Sequence, residues 1–161
     1  MRKALRQSVR TRYEFCCGYC GITEIDVGSE LTIDHVQPQR HGGNDSLDNL
    51  VYCCHPCNEF KSKYWQTELD LRLLHPRMDD MAEHYREQED GTLLALSERG
   101  ANHIQTLHLN REKLIEHRLR EQNRATQDLR YQEMQSLIAE LRQEVADNKN
   151  TIGKVFGDPD A

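Results

Sequence analysis

The hydrophobic period of this chain changes along its length. Over residues 2–15, Leu5, Val9 and Arg12/Tyr13 share one side at helical spacing with basic residues around them, which predicts an amphipathic helix. Along LTIDH, residues 31–35, apolar and polar positions alternate and β-branched residues are frequent, so a strand is expected. VQPQRHGGNDS then reads as a loop, marked by Pro38, Gly42, Gly43, Asn44 and Asp45, and LVYC as a second strand. From Pro56 onward, PCNEFKSKYW predicts a helix, with the proline suited to its first turn.

Beyond residue 65 the pattern becomes mainly helical. LLHP reads as the end of a helix and GTLLALSE as a short strand or hairpin piece. SERGANHIQTLHLN is expected to be a helix with Ser97 as its N-cap, and REKLIEHRLREQ to begin another. From Asn110 to Asp147 there is no proline or glycine. Leu114, Leu119, Leu129, Met134, Leu137, Ile138, Leu141 and Val145 recur there at intervals that suit one long amphipathic helix or two. Such a segment either folds back as core or pairs with a second copy or a partner protein as a coiled coil. DNKNTIGKVFGDPDA is expected to be loose, with Val155 and Phe156 a docking point.

The chain therefore divides into a basic arm over residues 1–12, a compact unit over 13–65, an extension over 66–109, a long helical segment over 110–147 and a flexible tail over 148–161. The fold class expected is α+β: a small strand–loop–strand–helix unit followed by a mainly helical extension.

Composition narrows this picture. Only 37% of the 161 residues are apolar, so the core is modest. No apolar run approaches the roughly 20 residues that span a bilayer. The basic N-terminus is followed by no long apolar stretch and is not read as a signal peptide. A soluble, cytoplasmic protein without a membrane partner is expected.

The six cysteines carry more information. Cys17/Cys20 and Cys54/Cys57 form two Cys-x-x-Cys pairs, with Cys16 and Cys53 as spares. Disulfides would account for them in an exported protein. Without an export signal, two such pairs read better as four thiolates around one structural Zn²⁺. A redox role is the poorer reading, because no thioredoxin-like βαβ pattern accompanies them. A unit of this size needs such a staple to fold.

The net charge of −6 argues against nucleic acid, but its distribution does not. Residues 1–65 hold eight Lys/Arg and eight Asp/Glu, so the later residues carry the whole excess. Arg2, Lys3, Arg6, Arg10 and Arg12 stand in the first twelve residues with no acid among them. That arm is either a solvated helix face or a helix lying along a phosphate backbone.

Between the cysteine pairs lie Asp34 and His35 at a strand end, Asn49 after the glycine loop, and Asn58 and Lys61 on one face of the following helix. If that helix packs on the hairpin, Asp34 and Asn58 offer two oxygen ligands to one hard cation, Mg²⁺ or Mn²⁺. His35 would stand beside it, free to take a proton from water. Each residue alone has a plainer reading: a turn cap, a core histidine, a helix-end hydrogen bond, a solvated lysine.

Taken together, CGYCG, LTIDHVQP, HGGNDSLDNLVYC and CHPCNEFKS resemble the HNH endonucleases, the ββα-metal nucleases, over about residues 13–64. The resemblance implies that His35 is the general base, that Asp34 and Asn58 hold the catalytic metal, and that Asn49 steadies the loop and orients His35. The final triad position is Asn rather than His, which favours Mg²⁺ or Mn²⁺. It further implies hydrolysis of DNA phosphodiesters to 5′-phosphate and 3′-hydroxyl ends, with Lys61 and the basic arm as DNA contacts. LLHPRMDD, HYREQEDGTLLALSERG and LHLNREKLIEHR resemble, more loosely, the tail of stand-alone bacterial HNH proteins. No helix-turn-helix is visible, so the expected substrate is duplex DNA read with little sequence preference. The alternative is a zinc-dependent nucleic-acid-binding or assembly module recruited to a defence or mobile-element complex.

Overall fold

The computed structural model describes residues 3–156. Two compact units divide between Leu119 and Arg120. The first opens with helix α1, Lys3–Arg12, whose Val9 is wholly buried and is followed by buried Tyr13. The cysteine turn comes next, then a single helical turn α2, Glu24–Val27, held by a reciprocal capping box between Thr23 and Asp26.

Strands β1, Thr32–His35, and β2, Leu50–Cys53, pair antiparallel, with Asp34 opposite Val51 and His35 opposite Leu50. Every residue of β2 is buried, which its unbroken apolar run requires. Helix α3, His55–Lys61, follows directly with Pro56 in its first turn. It is shorter than expected: Ser62 takes a positive φ of 45° and its N–H closes on the Asn58 carbonyl, so SKYW is not helical. This is the ββα unit the sequence predicts.

The extension wraps the same core. LLHP does not end an α-helix; only a 3₁₀ turn, Leu69–Leu71, precedes it. One helical turn α4, Met81–His84, leads into the hairpin of β3, Tyr85–Glu87, and β4, Leu93–Ala95. Helix α5, Glu98–Thr106, is capped by the Ser97 hydroxyl, which accepts from the Gly100 N–H at 3.0 Å. Leu73, Ile104, Leu107, Leu109 and Leu114 share one apolar cluster with Leu50, Tyr52 and Cys57.

Helix α6 runs unbroken for 45 residues, Glu112–Phe156. The segment is one helix, not two, because nothing between its ends breaks the backbone pattern. Residues 148–156, expected to be loose, continue it; the rest of that tail lies outside the described residues. The second unit does not use its apolar side chains as core: Leu129, Leu137 and Val145 are exposed. No described helix is long and apolar enough to cross a membrane.

Candidate metal centre and active site

The four predicted cysteines converge. The Sγ atoms of Cys17, Cys20, Cys54 and Cys57 lie within 4.8 Å of one another, and those of Cys20 and Cys54 are 3.7 Å apart. A tetrahedron with Zn–S bonds of about 2.3 Å has edges of about 3.8 Å, so this set fits one Zn²⁺ with every position filled by protein. Cys16 and Cys53 stay outside it, and so does His55, which pairs at the surface with Glu59. The turn is fastened to β2 by the Gly18 N–H donating to the Tyr52 carbonyl at 2.8 Å. Arg111, at the start of the C-terminal region, aims Nη2 at the Cys57 and Cys54 sulfurs, 3.6 and 3.9 Å away.

His35 ends β1. Its Nε2 lies 2.7 Å from Asp45 Oδ1, which also accepts from Gln39 Nε2 at 3.0 Å. The hydrogen bond from the imidazole is the main cause holding the Asp45 carboxyl below its ordinary range. Sequence reasoning treated Asp45 as a turn residue, and nothing in its local pattern separates it from Asn44 beside it.

Asn49 shapes the loop that carries Asp45. Its Oδ1 accepts from the Gln37 N–H at 2.8 Å, and its Nδ2 donates to the Gln37 and Asn44 carbonyls at 3.0 and 2.8 Å. Three bonds from one amide tie the two ends of the loop together. The strands close against this knot so tightly that a Cβ on Gly43 would lie 1.7 Å from the Gln37 carbonyl oxygen. Only glycine fits there. His75 braces the same place from the extension, with Nε2 2.7 Å from the Asp48 carbonyl.

Asp34 points away from His35, as alternation along a strand demands. Its Oδ2 meets Lys61 Nζ at 2.8 Å and the Tyr19 hydroxyl at 3.3 Å. Lys61 is only 1% exposed, and its ammonium also donates to the His35 carbonyl at 2.7 Å. Lys61 is therefore neither a solvated cation nor placed to touch a phosphate; it is a buried clasp between α3 and the end of β1. Asn58 sits three residues before it on the same helix face, half-buried.

The basic arm looks different in the structure. Arg6 pairs with Glu30 at 3.2 Å, Arg10 with Glu24 at 2.6 Å and Arg12 with Asp48 at 2.7 Å. The Glu24 carboxyl is drawn down to about 2, mainly by the Arg10 guanidinium. The acids that α1 lacks come from later in the chain, so the argument from uncompensated charge does not hold for these three. Lys3 is exposed, and Arg2 lies outside the described residues. His75, Arg77 and His84 each bond within the fold: beside the His75 contact, Arg77 Nη1 donates to the Arg12 carbonyl at 3.1 Å, and His84 Nδ1 lies 2.7 Å from the Ser97 hydroxyl.

A two-stranded sheet and a helix, pinned at a four-cysteine cluster that fits a zinc ion, with an acid–histidine pair at the strand end, define a ββα unit. Residues 17–63 match the family model for HNH endonuclease, and the chain carries a domain of that family. No curated protein and no solved structure gives a significant match. An HNH domain implies a nucleic acid as substrate.

Proposed function

We propose that this protein is a metal-dependent endonuclease that hydrolyses DNA phosphodiester bonds, duplex DNA being the substrate. The observation that supports this most is the clasp of Lys61 on Asp34 and on the His35 carbonyl. It fastens α3, the helix that carries Asn58, to the strand end that carries both the acid and the histidine. A binding module needs the four cysteines but has no use for an acid, a histidine and an amide on these two joined elements.

Asp34 and Asn58 would hold the divalent cation; a carboxylate and an amide oxygen suit Mg²⁺ or Mn²⁺. When bound, the cation neutralises the scissile phosphate and the leaving 3′ oxygen. His35 takes the proton of the attacking water. Because Asp45 only accepts, Nε2 of His35 carries a proton and Nδ1 keeps the lone pair that receives the water proton. The new P–O bond forms as the P–O3′ bond breaks, leaving 5′-phosphate and 3′-hydroxyl ends. Asn49 holds the loop on which Asp45 rides. Lys3 and the arm around it remain the DNA contacts of this reading, with Arg6, Arg10 and Arg12 exchanging their acids for phosphates.

The test is cleavage of supercoiled plasmid by zinc-loaded protein with Mg²⁺, Mn²⁺ or EDTA, beside His35→Ala. Metal-dependent cutting that the variant loses by about 10²–10⁴-fold supports the reading. Equal cutting by both overturns the assignment of His35. No cutting by protein with one zinc per chain, but retention of DNA, would instead favour the non-catalytic binding module.

A further inference from the structure

The second unit, described by itself, is a single helix with an exposed apolar seam. Numbered as heptads, Tyr131, Ile138, Val145 and Ile152 occupy a positions, and Met134, Leu141 and Asn148 occupy d positions. Tyr131, Met134, Leu141, Val145 and Ile152 are each half exposed or more, from 50% to 61%. The seam spans about 32 Å at the rise of an α-helix. A bare apolar stripe of this length is costly in water, and its spacing of four and three residues is that of a helix packed on another helix.

From this seam we infer that residues 131–152 form a parallel, in-register, two-stranded coiled coil with a second copy of this chain. Three features select that occupant. Branched Ile138, Val145 and Ile152 at a, with Leu141 at d, favour two strands over three or four. The g position Glu144 and the e position Lys149 are five residues apart, the spacing at which parallel helices pair their flanking charges. Neither has an ion-pair partner within the chain among the described residues. The other flanking pairs, Arg130 with Gln135 and Leu137 with Arg142, bring no like charges together. Reversing one helix about Leu141 would set Arg142 against its own copy. Asn148, the one polar residue of the seam, meets its own copy only in the parallel, in-register arrangement. There each amide satisfies the other; any slip buries it against an apolar side chain.

The dimer reading concerns assembly and stands apart from cleavage. Its consequence for the proposed nuclease is that two HNH units travel together, so paired cuts on opposite strands become available to one particle.

Sedimentation equilibrium of the full zinc-loaded chain tests the inference, because its readout is mass and needs no activity. A dimer at micromolar concentration is expected. Leu141→Glu with Val145→Glu should return it to monomer, with helical content of the nuclease unit and zinc content kept. Glu144→Lys should raise the dissociation constant roughly tenfold, the equivalent of about 1.4 kcal/mol. Adding Lys149→Glu to that variant should restore it, since the swapped charges again attract in a parallel homodimer. A monomer at tens of micromolar overturns the inference. So does a dimer indifferent to Leu141→Glu with Val145→Glu, or a charge swap that fails to rescue, as pairing with a different protein or an antiparallel pair would give.

Discussion

Nε2 of His35 and Oδ1 of Asp45 are 2.7 Å apart, and this contact fixes the tautomer of the imidazole. A carboxylate cannot donate, so the proton sits on Nε2 and the lone pair on Nδ1. Asp45→Asn offers an amide that accepts or donates by turning over, and the preference is lost. Cleavage should fall roughly 10–100-fold, the usual cost of losing the partner that orients a working histidine. Zinc content and thermal stability should stay as in the wild type, because Asp45 lies at the surface. The ¹⁵N shifts of the His35 ring give a readout that a merely structural role would not move. Unchanged shifts together with unchanged rate would show that Asp45 does not position the base.

The difference between Asp45 and Asp34 marks how far the sequence can be read. Cysteine spacing, strand alternation and the proline that opens α3 are local signals, and each led to the element observed. The cluster of four thiols was legible for the same reason: two Cys-x-x-Cys pairs state their chemistry in their spacing. The partners of charged side chains are not local. Arg6, Arg10 and Arg12 look unpaired in a window of twelve residues, yet Glu30, Glu24 and Asp48 reach them from later turns of the chain. Lys61 reads as a surface cation because its helix is short and polar, and only the packing of α3 on β1 buries it. Side-chain pairing across elements is a tertiary fact, and composition carries no trace of it.

Burial of Lys61 makes Asp34→Ala a poor probe of catalysis alone. The ammonium would lose its counter-charge where water does not reach it, and breaking such a pair costs about 3–5 kcal/mol. Urea unfolding of the zinc-loaded protein should show Asp34→Ala far less stable than His35→Ala. Adding Lys61→Met to Asp34→Ala should recover part of the loss by removing the stranded charge. Equal midpoints for Asp34→Ala and His35→Ala would mean that solvent or another group already satisfies Lys61.

Arg111 ties the region after the HNH match to the cysteine cluster. Four thiolates around Zn²⁺ would leave a net charge of about −2, and the guanidinium, 3.6 Å from Cys57 Sγ, would offset it while donating to the sulfurs. The same side chain lies over the Phe60 ring, 5.5 Å from its centre, which holds it in place. Arg111→Leu should weaken zinc binding about 10–100-fold in competition with a chromogenic chelator, and Arg111→Lys should do so less. Affinity equal to wild type in the leucine variant would remove Arg111 from the support of the metal.

His103 sets an acid limit on stability. Its side chain is buried, Nδ1 accepts the Leu74 N–H at 3.0 Å, and its ring lies nearly parallel to that of Tyr85. Burial first, and then the charge of Arg99, hold its pKa down at about 3, against about 6.5 in an unfolded chain. Between those values the unfolded chain binds a proton that the folded chain refuses. The stabilisation is therefore complete above about pH 6.5 and is lost progressively as the pH falls towards 3. From pH 7.5 to 5.5 the loss from this one group is about 1.4 kcal/mol. In His103→Asn the amide oxygen still accepts the Leu74 N–H, but nothing titrates. The variant should lose less stability over that interval than the wild type, measured by urea unfolding at both pH values with zinc present. The cysteine ligands are the same in both proteins, so their own response to acid cancels in the comparison. Parallel losses would show that His103 takes up its proton without unfolding the chain.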